Sequence, residues 1–283
     1  MLVYTQHERT FEANRFVYPV ISRRAGGMSI GVNLNPDKVC NFDCIYCQVD
    51  RVVQAETRFV ELPRLLEELE QLLGDAVSGA LFRHHKFADV PLERRRLNDI
   101  AFSGDGEPTS HRNFDSVVAA CAEVKRRHAL QHVKLVVITN ASLFHRPHVQ
   151  RGLEVLDRNE GEIWAKLDAG TEAYFRQVDR SPFALQRILD NITRAAQLRP
   201  LVIQSLFMRI DGQPPPPTEL AAYCDRLCEI GAAGGQLQLV QVYTVARRPA
   251  QPNVQPLRDG ELEAIAELVR NRTRLPVAAY YGV

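Results

Sequence analysis

Met28-Ser-Ile-Gly-Val-Asn-Leu34-Asn-Pro-Asp-Lys-Val-Cys40-Asn-Phe-Asp-Cys44-Ile-Tyr-Cys47 is the stretch from which the rest of the chain can be read. It starts as a short aliphatic run of strand length, Met28–Leu34, and ends as three cysteines spaced C-x3-C-x2-C. A loop that follows a strand lies at the strand's C-terminal edge, where α/β folds place their sites. Three thiolates on so short a loop can converge on one metal ion or cluster. A structural zinc site normally needs a fourth protein ligand, and no nearby residue supplies an obvious one. An iron–sulfur cubane normally takes four thiolates, so three leave one iron open to an outside ligand.

Beyond this stretch, segments of two kinds alternate. Further strands are expected at Asp99–Ser103, Leu135–Thr139, Ile163–Asp168, Leu201–Phe207 and Leu237–Tyr243, all short and rich in aliphatic residues. Between them lie helical patterns. Leu62, Leu65, Leu66, Leu69, Leu72 and Leu73 form one apolar stripe, with Pro63 in the first turn. Val117, Val118, Cys121 and Val124 form a second, ending in Lys125-Arg-Arg127, which suits the negative end of a helix dipole. Further helices are expected near His145–Asp157, Pro182–Gln197, Thr218–Ile230 and Asp259–Arg270. Six strands alternating with helices read as repeated βα units around a parallel sheet. Periodicity alone fits both a doubly wound open sheet and a partial barrel.

Composition narrows the class. The chain has 283 residues, 45% hydrophobic and 24% charged, and 35 basic against 34 acidic side chains give a net charge of +1. That balance argues against a protein held to nucleic acid by overall charge. No apolar run approaches the roughly eighteen residues of a membrane span, so no membrane partner is expected. Residues 1–15 carry charges where a signal peptide needs its apolar stretch. A cytoplasmic location follows, and in a reducing compartment a cysteine cluster binds metal or reacts rather than forming disulfides.

The cysteine spacing, with aromatic Tyr46 before the last cysteine, resembles the cluster motif of the radical S-adenosylmethionine (SAM) superfamily. Phe102-Ser-Gly-Asp-Gly-Glu-Pro-Thr109 is similar to that superfamily's SAM-binding loop, with Asp105 departing from the usual pattern. Thr139-Asn-Ala-Ser142 and Trp164-Ala-Lys-Leu-Asp168 follow at the ends of the next two strands. With Ser22-Arg-Arg24, Gly31–Pro36 and Tyr243–Arg247, these segments resemble the branch related to wyosine-base (tRNA guanine) synthases. Unlike the archaeal members of that branch, residues 1–39 hold no cysteine for a second cluster.

The resemblance implies an α/β fold, a partial (β/α)6 barrel with parallel strands and outer helices. Residues 1–27 would be an extension packed on the barrel, 28–248 the radical SAM core, and 249–283 a C-terminal helix and closing segment. It also implies an enzyme. Cys40, Cys44 and Cys47 would hold a [4Fe–4S] cluster, and SAM would chelate the open iron. Reductive cleavage would give a 5′-deoxyadenosyl radical that abstracts hydrogen from a substrate, an RNA base being one candidate. A flavodoxin or ferredoxin would supply the electron. Gly104 and Gly106 would let the backbone approach SAM, beside Asp105 and Pro108, and Glu107 would accept from its ammonium. Asn140, Ser142 and Asp168 fall where the ribose hydroxyls would lie, although helix capping explains Asn140 and Ser142 equally well. Tyr46 would set its backbone beside the adenine. Lys166 is the candidate catalytic residue, facing either the SAM carboxylate or the substrate.

Two competing classes remain. One is a non-catalytic iron–sulfur electron carrier or sensor, against which the intact Gly104–Pro108 loop argues. The other is a zinc-stabilised binding module. Cys121, Cys224 and Cys228 lie on apolar stripes and are expected in the core. His84 and His85 are expected at the surface. The segment from Arg83 to Arg96 is locally basic and reads as a solvated loop.

Overall fold

The computed structural model describes residue 9, residues 11–51 and residues 53–282. The elements open with β1 (Val17–Ser22), β2 (Gly27–Val32), α1 (Leu62–Val77), β3 (Leu97–Phe102), α2 (Phe114–Arg127) and β4 (Lys134–Thr139). Next come α3 (Pro147–Asp157), β5 (Gly161–Lys166), α4 (Glu172–Val178), α5 (Leu185–Leu198), β6 (Leu201–Leu206) and β7 (Met208–Ile210). The chain ends with α6 (Pro217–Ala232), β8 (Leu237–Tyr243), β9 (Val254–Pro256), α7 (Asp259–Thr273) and β10 (Val277–Tyr280). Two units form, one from Met1–Cys40, Arg51–Ile138 and Arg146–Glu162, the other from Asn41–Asp50, Thr139–His145 and Ile163–Val283.

In the first unit β1 and β2 make an antiparallel hairpin, Val17 facing Val32 and Ser22 facing Gly27. β2 then pairs in parallel with β3, and β3 with β4. Every residue of β2 is buried, as expected of a strand covered on both faces. The leucine stripe of α1 is buried at Leu65, Leu69, Leu72 and Leu73, but so is Glu68. Its carboxylate accepts from the amides of Arg15, Phe16 and Val17 at 2.8–3.1 Å and from Arg64 at 3.0 Å. Those bonds tie α1 to the segment that enters β1. Cys121 is buried in α2 as expected, and burial pushes its thiol up to about 12.

In the second unit β5, β6, β8 and β10 run parallel, with Ala165 facing Ile203, Ile203 facing Val240, and Val242 facing Ala279. β7 and β9 form a separate antiparallel pair. β5 begins within the first unit, where the Leu135 amide donates to Glu160 at 3.4 Å and Lys134 pairs with Glu162. The main sheet has the order β1-β2-β3-β4-β5-β6-β8-β10. Each parallel strand neighbours the next one in sequence, with no reversal. A doubly wound sheet reverses at its switch point, so this winding is that of a partial barrel.

The six expected strands correspond to β2, β3, β4, β5, β6 and β8, with ends shifted by up to two residues. β1 escapes a sequence reading because Pro19 sits inside it; a proline is tolerated there because β1 lies at the sheet's edge. The closing segment supplies β10. One expectation is corrected: Cys224 is buried in α6, but Cys228 is exposed and its thiol leans toward the Arg272 carbonyl at 3.9 Å. The two lie four residues apart, at the boundary of the helix's buried face. Among the described residues no helix is long and apolar enough to cross a membrane.

Candidate functional site

In the first unit the loops leaving β2 and β3 are locked together by amides. Asn33 accepts from the backbone N–H groups of Asn35 and Asp105 at 3.0 and 3.1 Å, and its Nδ2 donates to the Asp105 carboxylate at 2.7 Å. Asp105 also pairs with the Arg9 guanidinium. The glycines follow from this contact. A Cβ on Gly104 would lie 2.1 Å from Asn33 Oδ1, and one on Gly106 2.2 Å from the Val39 carbonyl. The space that glycine leaves here is taken by the neighbouring loop.

Glu107 is buried and accepts from the Thr109 amide at 3.1 Å and from the Thr109 hydroxyl, which caps the short turn at Pro108–Ser110. Ser110 Oγ donates to the Glu107 carbonyl at 2.7 Å and accepts from Asn35 Nδ2 at 3.1 Å. Because the Ser110 proton is used on that carbonyl, Asn35 must turn its NH2 toward Ser110. Its Oδ1 is then left buried with no partner. A buried acceptor without a donor is rare and costly.

The second unit holds most of the cysteine loop. Its backbone is anchored by the Asp43 and Ile45 amides, which donate to Asp179 and Val178 at 3.2 and 2.9 Å. The Gln251 amide donates back to Ile45 at 3.1 Å. Asn41 bridges to the β4 exit, donating to Ser142 Oγ and accepting from Asn140 Nδ2, each at 2.8 Å. Asn140 in turn accepts from the Ser142 amide and hydroxyl at 3.1 and 2.6 Å. Neither residue caps α3, whose cap position is Arg146.

Around Tyr46 the charges gather. Its phenol donates to Asp168 at 2.5 Å and faces Asp179 at 3.2 Å, and both aspartates are buried. Asp168 also accepts from the Leu206 amide at 2.7 Å and pairs with Lys166 at 3.0 Å. Lys166 donates to the Tyr243 hydroxyl at 2.9 Å, with its ammonium 4.9 Å from the Tyr46 ring centre and 5.4 Å from that of Tyr243. The Tyr243 hydroxyl continues to Gln204 at 3.4 Å, and Gln204 donates to Gln241 at 3.0 Å. The Cys44 thiol reaches Asp179 at 3.5 Å.

Burial, then the Asp168 charge, holds both Asp179 and Tyr46 above their ordinary values. Burial alone would lower Lys166, but Asp168 and then Tyr243 outweigh it and raise the ammonium. Burial and then Asp179 raise the Cys44 thiol. Together these residues form one hydrogen-bonded path from a cysteine, through two carboxylates and a lysine, to a pair of buried amides.

Cys40 belongs to the first unit, and Cys44 and Cys47 to the second. All three are half-buried and unbridged, with the Cys47 amide donating to the Cys44 carbonyl at 2.9 Å. Among the described residues no three His, Cys, Asp or Glu side chains stand grouped around a metal-sized point. Three unbridged cysteines within eight residues of coil are nevertheless a donor set that fits an iron–sulfur cubane with one open iron. The unpartnered Asn35 acceptor beside Gly106 fits a ligand that brings a donor.

Sequence reasoning passed over Asn41, Asp179 and Gln241, and gave no role to Asn33, Asn35 or Tyr243. The last three had a signal, since each is a polar residue at or just past the C-terminal end of a strand. Asp179 had none, because it follows a short helix that no periodicity marks.

No family profile matches the chain. It is similar to a GTPase Obg of Brachyspira hyodysenteriae, 25% identical over 172 residues, which cover 60% of this chain and 21% of that protein. It is also similar to a UPF0026 protein of Helicobacter pylori, 30% identical over 183 residues, covering 64% of this chain and 51% of that one. The chain thus spans about a fifth and about half of these two relatives. Among solved structures it is similar to TYW1 with a lysine-pyruvate adduct bound, at 14% identity and a TM-score of 0.48, covering 87% of this chain and 74% of that one.

Proposed function

We propose that the chain is a radical SAM enzyme of the cytoplasm. The observation that carries this reading is the loop Cys40–Cys47: three unbridged, half-buried cysteines spaced C-x3-C-x2-C beyond a parallel strand. Cys40, Cys44 and Cys47 would hold the [4Fe–4S] cluster, and the Ser103–Ser110 loop with Asn35 would hold the amino-acid end of SAM. Bound together, cluster and SAM supply a reductively generated 5′-deoxyadenosyl radical. Asn41, Asn140 and Ser142 hold the cysteine loop against the β4 exit, so their hydroxyl and amide groups act on the loop first and on a ribose only through it. Asp168 offers a carboxylate fixed by the Leu206 amide and the Tyr46 phenol. Lys166 presents a permanent positive charge that suits a carboxylate or phosphate.

A flavodoxin or ferredoxin is the proposed electron donor, and an RNA base is the first substrate class to try. The test is anaerobic reconstitution with iron and sulfide, followed by titration with SAM. This reading expects about four irons per chain and a SAM-dependent change in the cluster's spectrum. A cluster indifferent to SAM would make the chain an electron carrier or sensor. Bound zinc with no cluster would make it a zinc-stabilised module.

A further inference from the structure

Helix α6 opens Pro217-Thr-Glu219, and Glu219 is 3% exposed. Its oxygens face the segment that leaves β5: Oε1 accepts from the Gly170 amide, and Oε2 accepts from the Thr171 hydroxyl at 2.6 Å. Thr171 in turn caps α4, its Oγ1 accepting from the Tyr174 amide at 3.2 Å. One turn further along α6, Tyr223 completes the hold. A Cβ on Gly170 would lie 2.0 Å from the Tyr223 nitrogen, so only glycine lets the two backbones meet there. The Tyr223 phenol bonds Ser205 Oγ at 2.6 Å, and Ser205 donates to the Leu167 carbonyl at 2.6 Å.

Asp168 therefore lies between two gripped residues, Leu167 and Gly170. Asp179 directly follows the helix whose cap is gripped at Thr171. These are the two carboxylates that share the Tyr46 phenol, and Asp179 reaches Cys44. An apolar side chain would fill the Glu219 position at lower desolvation cost, but it could not fix an amide and a hydroxyl at once.

We infer that Glu219 is a positioning residue: acting through Gly170 and Thr171, it sets Asp168 and Asp179 around Tyr46. Its expected consequence for SAM affinity rests on the reading under Proposed function, while its consequence for the loop does not.

The test compares Glu219→Gln and Glu219→Ala with Ile230→Val, a core change eleven residues further along the same helix. In the full chain without cluster, amide hydrogen exchange across residues 168–179 should rise about tenfold in both Glu219 variants, with β6 and the rest of α6 unchanged. Ile230→Val should lower the melting temperature without that local rise. In the reconstituted protein, SAM affinity should fall while iron content holds, with glutamine between wild type and alanine because it keeps one acceptor. Unchanged exchange at 168–179, or an even rise over the whole molecule, would overturn the inference. So would a local rise that leaves SAM affinity untouched where the wild type binds SAM. If the wild type itself binds no SAM, the proposed function fails, and the exchange result alone decides the role of Glu219.

Discussion

Around Gly104 and Gly106 shape decides which residues fit: the Asn33 amide and the Val39 carbonyl fill the space beside them and the Ser110 hydroxyl closes the loop, although Asp105 between them also pairs with Arg9. Asp168 and Asp179 are held by polar partners, with one phenol shared between the two buried carboxylates and one lysine paired with Asp168. A loop held by shape fails when an atom is added. A network held by charge fails when a partner is removed, because the remaining ion is left buried. The first unit has its own version of the second case in Asp99, a buried carboxylate that receives the Ser29 hydroxyl.

The largest effect should come from the cysteine loop. Cys44→Ala is expected to abolish cluster formation, with iron content as the readout, whereas Cys121→Ala should leave it intact. Next is Lys166→Met, which strands Asp168 and should cost about 3–5 kcal/mol in urea unfolding. Adding Asp168→Asn should recover much of that loss, and purely additive costs would contradict the charge-held account.

Asp99 gives a pH test with the opposite sign to a salt-bridged aspartate. Burial raises its carboxyl from 3.8 to about 6, so the folded chain holds this proton more tightly than the unfolded one. Its favourable contribution is therefore full below about pH 4 and is lost as pH rises through about 6. Asp99→Asn should flatten that dependence and stabilise the protein at pH 7 by about 3 kcal/mol at most. A variant that is less stable at pH 7 would contradict the burial argument. The smallest effect is Gly104→Ala, expected to cost about 1–3 kcal/mol through the clash with Asn33. Pairing it with Asn33→Ala should restore part of the loss if shape is the cause.

Much of this was legible in the chain, for reasons that differ by region. β2, β3, β4, β5, β6 and β8 announce themselves because buried parallel strands are written as aliphatic runs, such as Leu135–Ile138 and Leu201–Ile203. The cysteines and Gly104–Pro108 stand out because their chemistry is tied to residue type. β1 was hidden by Pro19, which only an edge position excuses, and α4 by its brevity. The Tyr46 network was half visible: Asp168 and Lys166 end a strand, but Asp179 reaches the same place through a helix anchored by Glu219. No local pattern encodes a contact between residues 219 and 170. The exposure of Cys228 was misjudged because a four-residue spacing marks a shared face, not how far around the helix burial extends.

The most direct test of the central claim is to supply the reconstituted protein with SAM and dithionite under anaerobic conditions and assay for 5′-deoxyadenosine. The account predicts that it forms, and that it is lost in Cys44→Ala. A full cluster that yields none, and whose spectrum does not respond to SAM, would contradict it.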